Sequence, residues 1–367
     1  MRASAEAILA TVDVTVDGER PWDIQVRDER FFRRALTGGA LGLGESYMEG
    51  WWDTERVDEL FARLARLDPR RIPIPWSLKW LLLQDKLVNR QRRSRSHRVG
   101  EFHYDLGNDL FEAMLDPRMT YSCGYWVAAR TLEEAQEAKL DLVCRKLGLE
   151  AGQSVLDVGC GWGSFVRFAA ERYGVRAVGV NNSVEQVALG SVRCAGLPID
   201  LRVQDYRDVA GTFDRIASIG MFEHVGPKNY RAYFEVTRRC LADDGLFLLH
   251  TIGSRAAGRT VDAWTEKYIF PDGAQPTIGQ IGRAIEGLFV IEDVQNIGAD
   301  YDPTLMAWFA NFDAAWERLR ARYGDVFYRM WKYFLLSCAG SFRARRNDVW
   351  QIVLSPRGVP GGYRRAR

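Results

Sequence analysis

The chain has 367 residues, enough for one large domain with a smaller companion or for two modest domains. Its apolar fraction of 47% and charged fraction of 27% are those of an ordinary globular protein, and a formal charge of +2 argues against a dedicated polyanion binder such as a nucleic-acid protein. Six cysteines (Cys123, Cys144, Cys160, Cys194, Cys240 and Cys338) stand apart with no C-x-x-C pair, the pattern of reduced cytoplasmic thiols rather than of a disulfide framework or metal site.

The opening stretch MRASAEAILATVDVTVDGER lacks the apolar segment of an export signal, and no uncharged run approaches the ~20 residues that span a bilayer. The expectation is a soluble, cytoplasmic protein that meets any lipid from the side. Residues 1–70 form a first zone, small and helical in character, with glycine breaks at Gly38, Gly39, Gly42 and Gly44. Residues 71–100 shift in composition, joining Trp76, Trp80, Leu81, Leu82 and Leu83 to a tail of Arg90, Arg92, Arg93, Arg95 and Arg98. Such a segment suits a lipid surface, each cation adding about 1 kcal/mol near anionic headgroups. A helix packed on the protein's own core and followed by a solvated linker suits it nearly as well.

From 101 to 367 the chain reads as one α/β domain. Strand-like runs alternate with helix-like ones: SVLDVG closing on Gly159, then VRAVGV (175–180), DLRVQD (200–205), RIASIG (215–220), LFLLHTI (246–252), LFVIEDV (288–294) and VWQIVLS (349–355). Seven strands in that rhythm predict a doubly wound, mostly parallel sheet with helices on both faces. In VLDVGCGWGSF, Asp157, Gly159, Gly161 and Gly163 lie at a strand-to-helix switch. Glycines there permit a tight turn and a close backbone approach to a ligand, and the order D-x-G-x-G-x-G differs from the G-x-G-x-x-G of dinucleotide sites. The Asp157 carboxylate suits the ammonium end of S-adenosylmethionine, although a tight turn without a ligand has the same glycines. At the end of the second strand Asn181, Asn182, Ser183 and Gln186 can serve ribose hydroxyls or cap the next helix. After the third, Asp205 and Tyr206 stand where an adenine would lie, or in an ordinary turn.

Taken together, HYDLGNDLFEAMLDPRMTYSCGYW (103–126), VLDVGCGWG (155–163), GMFEHVGPKNY (220–230), LLHTIGS (248–254), KYIFPDG (267–273), NIGADYDPTLMAW (296–308) and CAGSFRARR (338–346) resemble the bacterial cyclopropane-fatty-acyl-phospholipid synthases. These are class I S-adenosylmethionine-dependent methyltransferases related to the mycolic acid cyclopropane synthases. LGLGESYMEGWWD (41–53) carries the likeness into the first zone.

The resemblance implies transfer of a methylene group from S-adenosylmethionine to the cis double bond of an unsaturated phospholipid acyl chain, by a peripheral enzyme at the inner face of the cell membrane and as a homodimer. It implies a bicarbonate ion held by Cys123, Glu223, His250, the backbone at Ile252, and Tyr301, and it gives Cys338 the position traditionally labelled the active-site cysteine. It places donor contacts on Tyr121, Ser122, the 155–163 loop, Asn181 to Gln186, Tyr206 and Arg207, with no metal. Bicarbonate would remove the proton that closes the ring, and aromatic faces at Tyr121, Trp126, Phe222, Tyr301 and Phe342 would stabilise a cationic acyl carbon. Taken singly, the same residues read more plainly: His250 as a core histidine, Glu223 as a helix-start carboxylate, Cys338 as a small buried hydrophobe lining a pocket. A plain lipid methyltransferase and an inactive cofactor-binding scaffold are the alternatives. The retained Cys123, Glu223, His250 and Tyr301 set favours ring closure over both.

Overall fold

All seven strand-like runs of the third zone are strands of one sheet in the computed structural model, which describes residues 1–67, 106–255, 261–271 and 273–366. The cationic 71–100 segment, the start of the 103–126 motif and Asp272 lie outside the described residues. The chain divides into two compact units, one of 1–110, 261–271 and 308–346, the other of 111–260, 272–307 and 347–367.

In the first unit, two short strands, β1 (Gln25–Val26) and β2 (Trp52–Asp53), pair antiparallel. Around them pack the helices Arg2–Ala10, Arg30–Met48, Val57–Leu64, Ala263–Tyr268 and Trp316–Arg343. The glycines expected as breaks behave differently from one another. Only Gly39 leaves helical geometry (φ 55°, ψ −136°), which kinks Arg30–Met48, whereas Gly42 and Gly44 are buried within it. A Cβ at Gly44 would overlap the Trp264 ring and one at Gly42 the Arg34 carbonyl, so these glycines serve close packing. Arg329 ties the layer together, donating to the carbonyls of Tyr47 (2.6 Å) and Trp52 (3.0 Å) and to Asp53 (3.0 Å).

The second unit holds β3 (Ser154–Val158), β4 (Arg176–Asn181), β5 (Ile199–Val203), β6 (Phe213–Ile219), β7 (Leu241–Ser254), β8 (Val290–Asn296) and β9 (Asn347–Ser355). Their order is β5-β4-β3-β6-β7-β9-β8, with β9 antiparallel to both neighbours and the rest parallel. Central strands covered on both faces read as unbroken apolar runs, which is why LFLLHTI and VWQIVLS are nearly all buried. The strand order reverses at β3, flanked by β4 on one side and β6 on the other, so a crevice is expected beyond its carboxyl end. Helix Leu132–Leu147 starts on a capping box, Thr131 and Glu134 exchanging side-chain and backbone bonds, and stops at left-handed Gly148 (φ 56°). Among the described residues no helix is long and apolar enough to cross a membrane.

Candidate active site

At the end of β3 the three loop glycines all take positive φ: Gly159 at 87°, Gly161 at 55° and Gly163 at 80°. The N–H groups of Gly159 and Cys160 both donate to the Val180 carbonyl (2.9 and 3.1 Å), pinning the turn to β4. A Cβ at Gly159 would stand 2.6 Å from Met221, while one at Gly161 would meet nothing within 4 Å. Gly159→Ala is therefore expected to lose about 1–3 kcal/mol of stability through strain and overlap, visible as a lowered urea midpoint at unchanged m-value.

Asp157, just before the loop, is buried, and its Oδ1 has no hydrogen-bond partner. Burial pushes its carboxyl up to about 7 against the pull of Lys139. A buried acceptor left open beside a glycine turn is a fitting receptor for a cationic amine.

The residues after β4 satisfy one another. Asn181 Nδ2 donates to Gln186 Oε1 (2.7 Å), and Ser183 caps helix Val184–Arg193 by accepting from the Gln186 N–H (3.3 Å). Asn181 Nδ2 also reaches the Gly161 carbonyl at 3.5 Å, and Asn182 is exposed. Beyond β5, Asp205 accepts from the Arg207 backbone (2.9 Å) and from its Nε and Nη2 (2.8 and 2.6 Å). That bonding holds the Asp205 carboxyl below the usual range. The Tyr206 ring lies 5.3 Å from that of Tyr233.

A strap of residues 120–126 carries the next group. The Tyr121 ring packs edge-on against Phe111 (5.2 Å), which in turn meets Trp162 of the glycine loop (5.0 Å). Ser122 Oγ accepts from Lys139 Nζ at 2.7 Å. The Cys123 thiol is fully buried, donates toward the Gly124 and Ile297 carbonyls (3.3 and 3.7 Å), and is pushed well up by burial and by Asp300. The Gly124 N–H (3.1 Å) and Trp126 Nε1 (2.9 Å) both donate to Thr304 Oγ1, and the Trp126 N–H to Asp300 (3.3 Å). These bonds fix the strap to the first turn of helix Tyr301–Ala314, where Tyr301 sits.

Glu223, in the turn after β6, is bound to β7: its Oε1 accepts from the Ile252 N–H at 2.6 Å. Its Oε2 is buried without a partner, and burial pushes the carboxyl up to about 7. His250 and Ile252 share a face of β7 by the two-residue strand period. Burial, first, and the charges of Lys139 and Lys146 keep the His250 imidazole well below its ordinary pKa, hence neutral. Its Nδ1 lies 3.3 Å from Gln351 Nε2, opposite it on β9. With the amide donating to Nδ1, the ring proton belongs on Nε2, which is then a donor. Ile252 pairs with Val349, whose carbonyl accepts from the Ile297 N–H (2.8 Å), and Ile297 accepts from Cys123. Glu223, Ile252 and Cys123 are thus joined by one unbroken run of contacts.

Phe222 is fully buried and stacked on Tyr230 (4.3 Å), whereas Tyr121, Trp126 and Tyr301 are half-buried. Cys338 and Phe342 belong to the first unit, on helix Trp316–Arg343. Burial and Asp262 push the Cys338 thiol up to about 12. At pH 8 only about one thiol in ten thousand would be ionised, so Cys338 is expected to resist iodoacetamide, as peptide mass spectrometry of alkylated protein would show. Lys139, Gln136 and Gln351 are the polar residues of this region that the motifs do not announce. A signal for Lys139 does exist: it stands four residues from both Ala135 and Val143, on the apolar stripe of its helix.

Residues 91–352 match the family model described as mycolic acid cyclopropane synthetase. The chain belongs to that family. This member of the cyclopropane synthase family is an S-adenosylmethionine-dependent methyltransferase by fold and kinship. It is 49% identical over 364 residues to the cyclopropane-fatty-acyl-phospholipid synthase of Escherichia coli (strain K12), covering 99% of this chain and 95% of that protein. Cyclopropane mycolic acid synthase 2 of Mycobacterium leprae is 37% identical, over 69% of this chain and 91% of its own. Among solved structures, a mycolic acid cyclopropane synthase complexed with SAH and CTAB superposes with a TM-score of 0.63 at 35% identity, covering 69% of this chain and 95% of that one.

Proposed function

We propose that this synthase transfers a methylene group from S-adenosylmethionine to the cis double bond of unsaturated phospholipid acyl chains, working from the cytoplasmic face of the membrane as a peripheral homodimer. The observation that carries the choice of phospholipid is coverage. The likeness to the phospholipid enzyme runs over 99% of the chain, whereas the mycolic acid relative, nearly complete itself, leaves about a third unmatched. The mycolic acid family model begins only at residue 91, so the N-terminal helices lie outside it and are an element available for engaging a bilayer.

The residues present fit both small molecules. S-adenosylmethionine supplies an electrophilic methyl on sulfur. The open Asp157 oxygen and the glycine turn are suited to its amino-acid end, and Tyr121, Ser122, Asn181, Asn182, Ser183, Gln186, Asp205, Tyr206 and Arg207 border the same crevice in this reading. A bicarbonate ion fits the second group, because a buried carboxyl that ionises near 7 and a neutral imidazole with a free Nε2–H can both bind a small oxyanion. When bound, such an ion supplies the base for the proton lost at ring closure. Glu223 and His250 would hold it, Ile252 would hold Glu223, and Cys123 and Tyr301 would wall it from water. An isolated alkene is a poor nucleophile, so the protein's part is positioning and dryness. The half-buried rings of Tyr121 and Trp126 offer faces to the electron-poor acyl carbon.

The test is purified enzyme with S-adenosylmethionine, bicarbonate and vesicles of oleoyl phospholipid, followed by mass spectrometry of the acyl chains. The expected product has gained one CH2 and lost its double bond. A methyl-branched chain that keeps the alkene would establish plain methyl transfer instead, and unchanged lipid would overturn the reading. His250→Ala is expected to lose most turnover while adenosylmethionine still binds.

A further inference from the structure

Two lysines are fully buried among the described residues, and they are held differently. Lys146 is paired with the carboxylate of Asp293 at 3.4 Å, both side chains out of water. Among the described residues Lys139 has no such ion pair within contact distance, and its ammonium donates to the neutral hydroxyl of Ser122 at 2.7 Å. An ammonium carries three N–H donors, so one uncharged acceptor leaves most of its capacity unused. A methionine of similar length would fill the volume without a desolvated charge, so packing does not call for a lysine here.

The surroundings say what the charge faces. Helix Leu132–Leu147 presents Ala135, Gln136 and Lys139 to the strap. The Ala135 carbonyl accepts from the Tyr125 N–H (2.9 Å), Gln136 Nε2 donates to the Thr120 and Ser122 carbonyls (3.4 and 2.8 Å), and Lys139 holds the Ser122 hydroxyl. Asp116 anchors the start of the same strap by accepting from the Thr120 N–H at 2.8 Å. The groups that feel the Lys139 charge are Asp116, the Cys123 thiol, Asp157 at the end of β3, and His250 on β7. One buried cation therefore holds the strap by a hydrogen bond and acts electrostatically on the carboxylate beside the glycine loop.

We infer that Lys139 is a positioning residue for the methyl donor: through Ser122 it fixes the strap that carries Tyr121 and Cys123, and its charge is set against Asp157 at the glycine loop. Lys139 itself need not touch the donor. The inference rests on the placement of S-adenosylmethionine at that loop, and the experiment separates the two.

Full-length Lys139→Met, Ser122→Ala, the double variant and Asp157→Asn are titrated with S-adenosylmethionine by calorimetry, with thermal melts to verify folding. Lys139→Met and Ser122→Ala are each expected to weaken binding about tenfold, and the double variant no more than the worse single, because they cut one connection. The KM for the donor should rise in the same proportion while the KM for lipid vesicles stays put, a split that general loosening of the fold would not produce. Wild-type affinity in a folded Lys139→Met, or two effects that add in full, overturns the inference. If Lys139→Met does not fold, wild-type affinity in Ser122→Ala overturns it by itself. Should Asp157→Asn bind as well as wild type, it is the placement of the donor that has failed.

Discussion

Glu223→Gln is expected to cut turnover by roughly 10²–10⁴-fold, leave adenosylmethionine affinity within about twofold, and raise thermal stability above pH 7. The Glu223 carboxyl ordinarily ionises at 4.5, and burial lifts it to about 7. A group with a raised folded-state pKa contributes its full stability below the unfolded value and loses it as pH climbs through the folded one. Between 4.5 and 7 the native enzyme should therefore weaken with rising pH, by up to about 3 kcal/mol at roughly 1.4 kcal/mol per unit. Glutamine keeps an acceptor for the Ile252 N–H but has nothing to ionise, so that slope should shrink. Melts at pH 5 and pH 8, beside conversion of oleoyl vesicles, test both halves. Normal turnover in the variant would mean that the open Oε2 serves no anion. A stable but silent variant is the signature of a carboxyl kept out of water for chemistry.

The sheet was legible in the sequence because central strands buried on both faces need nearly unbroken apolar runs, as in β3, β7 and β9, whereas the edge strands β5 and β8 are largely exposed and are marked only by β-rich stretches alternating with helices. The glycine loop was legible for a similar reason, since positive φ at Gly159, Gly161 and Gly163 demands glycine. Spacing alone could not bring Cys123 to Ile297, which lies 174 residues away, or set Glu223 against the backbone of Ile252. Those contacts follow from β-register and from a strap tied down by Thr304. Nor does local pattern reveal that 261–271 and 308–346 share a compact unit with the N-terminal helices. The glycines at 42 and 44 look like breaks when read along the chain, and only the neighbouring Trp264 and Arg34 explain why a helix keeps them.

The second large effect is expected at Asp157. Its carboxyl, buried at the end of β3, is pushed up to about 7, so the unliganded protein protonates it as pH falls through neutrality. A donor with an ammonium group binds the ionised form better, and binding at the open Oδ1 should pull the proton off. Adenosylmethionine affinity should therefore weaken below pH 7, by up to tenfold per unit, and level off above it. Asp157→Asn should bind roughly 10–100-fold more weakly at pH 8 and lose that pH dependence. The charged group facing Asp157 is Lys139, pushed down to about 8 by its own burial, so a second, shallower step near that value belongs to the pair rather than to either residue. Calorimetric titrations from pH 6 to about 8.5 separate the variant from the wild type. An asparagine variant that kept the wild-type pH profile would move the titrating group elsewhere. Adenosylmethionine should also raise the melting temperature more at pH 8 than at pH 6, because a ligand that selects the ionised carboxylate repays its burial only where the unliganded protein has to carry that charge alone.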